Sequence, residues 1–143
     1  MPNDAEDKYQ LVKRAVMSDA LGVIEQPMPR GKRGEATWDV IYLREEMDSV
    51  DRTNVLAHEW GHRILHFDSV SNAERDELPK PIEECQAESV AYIVSHFLGI
   101  DSQFSRDYLL HSGNTPETLI KNMDVIQKTS HYMIQKIEGV VRE

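Results

Sequence analysis

Two histidines four residues apart, in the run Ala57-His58-Glu59-Trp60-Gly61-His62, constrain this chain more than any other feature. On a helix, residues at that spacing project from one face, so both imidazoles can reach a single ion. Glu59 sits one position along and can reach a water on that ion from the side. Two ligands, a general base and an open position are the parts of a zinc hydrolase site. The flanks Val55-Leu56-Ala57 and Ile64-Leu65 are apolar, which places the helix inside the fold. Burying two imidazoles and a carboxylate without partners is costly, and a metal removes that cost. Ala57 and Gly61 are small and allow tight packing, in this reading beneath a bound substrate. The plain alternative is an amphipathic helix whose histidines face solvent or cap a core.

A chain of 143 residues suffices for one domain with a real core, and one domain over 1–143 is expected. No apolar run is long enough to span a bilayer, so no membrane association is expected. The start, Met1-Pro2-Asn3-Asp4-Ala5-Glu6-Asp7, is acidic and polar, the opposite of a secretory signal. Cys85 is the single cysteine, which excludes an internal disulfide and suits a reducing cytoplasm. A formal net charge of −9 argues against a broad nucleic-acid footprint, so no nucleic-acid partner is expected. The one basic cluster, Arg30-Gly31-Lys32-Arg33, reads as a solvated turn.

Periodicity predicts a mostly helical α+β domain with a small sheet and about five helices. Residues 5–21 carry Leu11, Val12, Ala15, Val16 and Leu21 at helical spacing, with Gly22 as the stop. A weak strand is conceivable at Gly22–Glu25, and Pro27, Pro29, Gly31 and Gly34 mark an irregular stretch. Residues 37–43, Thr-Trp-Asp-Val-Ile-Tyr-Leu, form the convincing strand and a candidate cleft edge for an extended substrate. A second helix is capped at Ser49 or Asp51 and continues to Phe67. After a polar loop at 68–80, a third helix runs from Pro81 to Leu98, with Gly99 as its stop. A short fourth helix starts at Asp101 or Ser102 and reaches Leu110; the fifth, capped by Thr115 ahead of Pro116, reaches Glu138.

Catalytic zinc usually has three protein ligands. His66 lies eight residues after His58, about 12 Å along a helix axis, too far to share an ion with it. The third helix offers Glu84 and Glu88, again four apart on one face. One could bind metal while the other accepts the remaining ring N–H of a ligand histidine. Spacing does not choose between them, and an exposed acidic face is the alternative to both. Cys85 adjoins Glu84 but points about 100° away on a helix, which makes it a buried structural thiol.

The run His58-Glu59-Trp60-Gly61-His62-Arg63-Ile64-Leu65-His66, followed by Glu84-x-x-Ala87-Glu88-x-x-Ala91, resembles the gluzincin class of metallopeptidases. It is similar to the ImmA/IrrE-type metallopeptidases and, through Glu84–Val94 and Leu98-Gly99-Ile100-Asp101, to the metallopeptidase domain of ArdC-type antirestriction proteins. The resemblance covers roughly residues 36–138, leaving 1–35 as an N-terminal helix and loop. It implies a zincin-like fold with a small sheet on the helix bearing the histidines. It implies one Zn2+ (or another divalent ion) held by His58, His62 and Glu84, with Glu88 orienting a ligand histidine and Glu59 as catalytic base; Glu88 as ligand with Glu84 outside stays the rival assignment. An oxyanion donor would come from His96, Tyr108, His111 or His131.

The expected activity is zinc-dependent endopeptidase action on a protein or peptide substrate, such as a regulator, in a phage or mobile-element setting. A zincin-fold protein that engages a restriction or defence partner without catalysis is the alternative; retention of Glu59 favours the enzyme. The single-stranded-DNA-binding domain of ArdC-type proteins and the helix-turn-helix of some ImmA/IrrE-type proteins have no counterpart in the sequence, so DNA binding is not carried over.

Overall fold

Aspartates cap the first two helices of this chain. In the computed structural model, which describes residues 4–67, 80–100 and 116–142, the Asp4 carboxylate accepts from the backbone N–H groups of Glu6 (2.7 Å) and Asp7 (3.3 Å). It thereby satisfies the free donors of helix α1 (Ala5–Ser18). Asp48 does the same for α2 (Ser49–His62), accepting from Asp51 N–H at 2.8 Å. The cap is therefore one residue ahead of the expected Ser49. Two more helices are described, α3 (Lys80–Phe97) and α4 (Pro116–Val141). The short helix expected near 101–110 lies outside the described residues.

α1 stops three residues earlier than its periodicity suggested. Ala20, not Gly22, takes the left-handed conformation, with φ of 63°. That frees Gly22 to open strand β1 (Gly22–Gln26). Gly99 ends α3 as expected: its φ is 76°, and Ile100 N–H bonds back to the Ser95 carbonyl at 2.9 Å.

The sheet has three strands in the order β1-β3-β2, where β2 is Gly34–Ala36 and β3 is Val40–Arg44. β1 runs parallel to β3, and β2 antiparallel to it. The expected strand at 37–43 is thus shorter and shifted. Thr37 closes the turn, its Oγ1 donating to the Val40 carbonyl and accepting from Val40 N–H. β3 is the central strand, with Ile41 and Leu43 buried, so it cannot be the cleft edge. The edge is β2.

One buried cluster joins the four helices to β3, from Tyr9, Val12 and Val16 on α1 through Ile41 and Leu43 to Leu56, Trp60, Val90, Met133 and Ile137. The fold is α+β and mostly helical. Asp19 pins it at a polar point: the indole Nε1–H of fully buried Trp60 donates to it at 3.2 Å, the Tyr132 hydroxyl donates to it, and Lys136 Nζ lies 3.5 Å away. Gly61 does not face a substrate. It lies against Val90 and Ala87, where α2 and α3 pack together. Cys85 is buried and unpaired in a disulfide. Among the described residues, no helix is long and apolar enough to cross a membrane.

Candidate metal centre

The close packing of α2 on α3 brings the two four-residue spacings face to face. His58 Nε2 lies 3.3 Å from one Glu84 carboxylate oxygen, and His62 Nε2 lies 3.2 Å from the other. One ligand atom from each of these three residues falls within 4.8 Å of the others. A tetrahedral ion with bonds of about 2.0–2.1 Å separates its ligand atoms by about 3.3–3.4 Å, so the three donors lie close enough together to hold a metal ion.

Glu88 is on the other side of the His58 ring. Its Oε2 lies 2.8 Å from His58 Nδ1, and it is almost wholly buried. The two carboxylates that spacing could not tell apart therefore occupy different positions. Glu84 faces both Nε2 atoms, while Glu88 lies against the Nδ1 side of the His58 ring. Burial opposes a charge on His58, but hydrogen bonds to Glu84 and Glu88, with the charges of Glu88 and Glu59, outweigh it and push its pKa up to about 10. The same contacts with His58 and His62 hold the Glu84 carboxyl far below the usual carboxylate range.

Glu59 points into the same cleft without joining the three. Burial raises its pKa, and the nearby Glu84 and Glu35 carboxylates add to the effect, while His58 and His62 oppose it. An upward shift moves a glutamate in the direction that favours its taking a proton. The cleft has a volume of about 550 Å³, within the usual range for ligand sites. Glu59, Glu83 and Lys80 line it, together with the β2 residues Gly34, Glu35 and Ala36.

The pairing of β2 determines which of its backbone groups are left unpaired beside the cleft. Thr37 N–H bonds to the Val40 carbonyl, and Arg44 N–H to the Arg33 carbonyl, both at 2.9 Å. In an antiparallel ladder hydrogen-bonded pairs alternate, so Glu35 pairs with Tyr42 and spends its backbone groups on β3. The N–H and C=O of Gly34 and Ala36 turn away from β3. Gly34 also passes so close to α2 that an added Cβ would sit 2.7 Å from Val55 Cγ1 and 3.0 Å from Glu59 Cγ. At the far end of the hairpin, exposed Trp38 is held by Arg63, whose guanidinium lies 4.5 Å from the ring centroid and whose Nε donates to the Trp38 carbonyl at 2.6 Å.

α2 does not continue as a regular helix to Phe67. Residues Arg63–Phe67 form a π-helical turn, a feature frequent at functional sites. Within it, His66 Nδ1 comes to 2.9 Å from His62 Nδ1. His66 is therefore not among the three converging donors but contacts one of them. The signal was available: 62 and 66 are four apart, like 58 and 62. Gln86 and Asn122, which extend this contact, carried no sequence signal.

Of the four candidate oxyanion donors, His96 is exposed and stacks on Tyr92, with ring centroids 6.3 Å apart. His131 is exposed on α4. Neither is among the side chains lining the cleft. Tyr108 and His111 lie outside the described residues. Comparison with protein-family profiles, with curated proteins and with solved structures finds no match to this chain.

Proposed function

We propose that this protein is a zinc-dependent endopeptidase that hydrolyses a peptide bond in a specific protein substrate, of the gluzincin kind its two motifs resemble. The observation that carries this reading is the meeting of the His58, His62 and Glu84 donors beside Glu59 in one cleft with a strand edge. His58, His62 and Glu84 would hold the ion, with Glu88 fixing the His58 ring.

Zinc bound there supplies Lewis acidity, which activates water and polarises a carbonyl. The chain's own residues do the rest. Glu59 takes the proton from the attacking water as its oxygen bonds to the carbonyl carbon. It delivers that proton to the amine nitrogen as the C–N bond breaks. The outward backbone groups of Gly34 and Ala36 hold an extended peptide as an added strand across Glu59.

The test is Glu59→Gln. Zinc uptake should match wild type, because Glu59 is not among the three donors. Cleavage of candidate partner proteins, read by mass spectrometry, should disappear. Undiminished cleavage by the variant refutes the role of Glu59, and a wild-type chain that takes up no zinc refutes the site.

A further inference from the structure

A chain of buried polar groups runs from His62 through the protein to α4. His66, Gln86 and Asn122 are 4%, 5% and 7% exposed, too little for water to replace their hydrogen bonds. Gln86 Nε2 donates to Asn122 Oδ1 at 2.9 Å. Its Oε1 is then left to face His66 Nε2 at 3.1 Å, and an oxygen there can only accept. A neutral His66 must therefore carry its proton on Nε2, leaving Nδ1 bare. The bare Nδ1, 2.9 Å from His62 Nδ1, can only accept, so His62 carries a proton on Nδ1. In a neutral His62 the lone pair then lies on Nε2, the atom facing Glu84, where a metal would take the place of the hydrogen bond to that carboxylate.

Reversing both amides reverses the chain. Gln86 would then donate to His66, His66 Nδ1–H would donate to His62, and the proton on His62 would stand on Nε2, where it blocks a metal. The orientation of the two buried amides thus selects between a ring that can bind metal and one that cannot.

We propose that His66, Gln86 and Asn122 are positioning residues: a buried relay that fixes the tautomer and tilt of His62 and ties this ligand to α4. It rests on the metal-binding reading, and complements Glu88, which does the same for His58 from the opposite side. Groups that orient metal-ligating histidines typically change affinity by about 10–100-fold when removed.

The test combines zinc affinity, by competition with a chromophoric chelator, with nitrogen-15 NMR of the imidazole rings. His66→Leu should lower zinc affinity by about 10–100-fold. His66→Asn, whose Oδ1 can stand where Nδ1 stands, should restore most of it. Gln86→Leu, which leaves His66 Nε2–H without its acceptor, should lower it as well. In wild type, NMR should find His66 neutral with its proton on Nε2, both with and without zinc. His66 protonated on Nδ1 overturns the relay, as does a folded His66→Leu with wild-type zinc affinity. The NMR reading needs no metal, so a failure of zinc uptake in wild type would refute the metal site while the relay is still judged on the His66 tautomer.

Discussion

Replacing Gly34 by alanine tests how closely the strand edge lies against the metal helix. The new Cβ would meet Val55 Cγ1 at 2.7 Å, Glu59 Cγ at 3.0 Å and Glu59 Oε2 at 3.2 Å. Comfortable carbon–carbon contact is about 3.5–4.0 Å, so the overlap with Val55 is close to 1 Å. Val55 is 6% exposed and β-branched on a helix, which leaves its side chain essentially one rotamer. It cannot swing aside, so β2 must lift away from α2. Overpacking of this kind costs about 1–3 kcal/mol. In a chain of this size that is a fall in Tm of roughly 3–10 °C. Zinc affinity should change little, because the three donors sit on α2 and α3. Peptide hydrolysis should fall well beyond the loss of stability, because the edge that would hold the substrate has moved relative to Glu59. Thermal denaturation, chelator competition and a peptide-cleavage assay read the three quantities separately. A Gly34→Ala protein with wild-type Tm and wild-type cleavage would show that β2 does not lie against Glu59 as described.

Gly139→Ala is the matching control: it lies inside α4 and an added Cβ meets nothing within 4 Å, so it should gain about 0.5–1 kcal/mol; a loss would contradict a helical, open position there. Asp19→Ala leaves the buried Trp60 indole N–H without its acceptor and should cost about 1–3 kcal/mol in urea unfolding, whereas an unchanged midpoint would show that Asp19 does not pin α1 to α2. Zinc uptake should release about one proton near neutral pH, because His58 holds its proton up to about 10 while Glu84 has already lost its own. Affinity should therefore rise with pH up to that value; calorimetric enthalpies independent of the buffer's ionisation heat would refute the coupling.

Helical spacing made much of the site legible. His58 with His62, and Glu84 with Glu88, are each one turn apart, so each pair shares a helix face wherever the helix lies. The apolar residues around His58 and His62 also announced that α2 is buried. β2 was not legible, because Gly-Glu-Ala carries no β-branched or aromatic residue and is a strand only through its pairing with β3. Nor was the early end of α1, since the sequence offered Gly22 as the stop and Ala20 took the left-handed position instead.

What the sequence by itself determined is the chemistry of each face: two imidazoles and a base on one helix, two carboxylates on another. What only the tertiary structure decided is how those faces meet. The contact of α2 with α3 puts Glu84 in front of both Nε2 atoms and Glu88 behind His58. The π-helical turn and the burial of Gln86 and Asn122 give His62 a partner that spacing along the chain does not reveal. The physical reason is one of range. Periodicity follows from local backbone geometry, whereas the order of ligand, orienting group and strand edge depends on contacts between residues up to 36 positions apart.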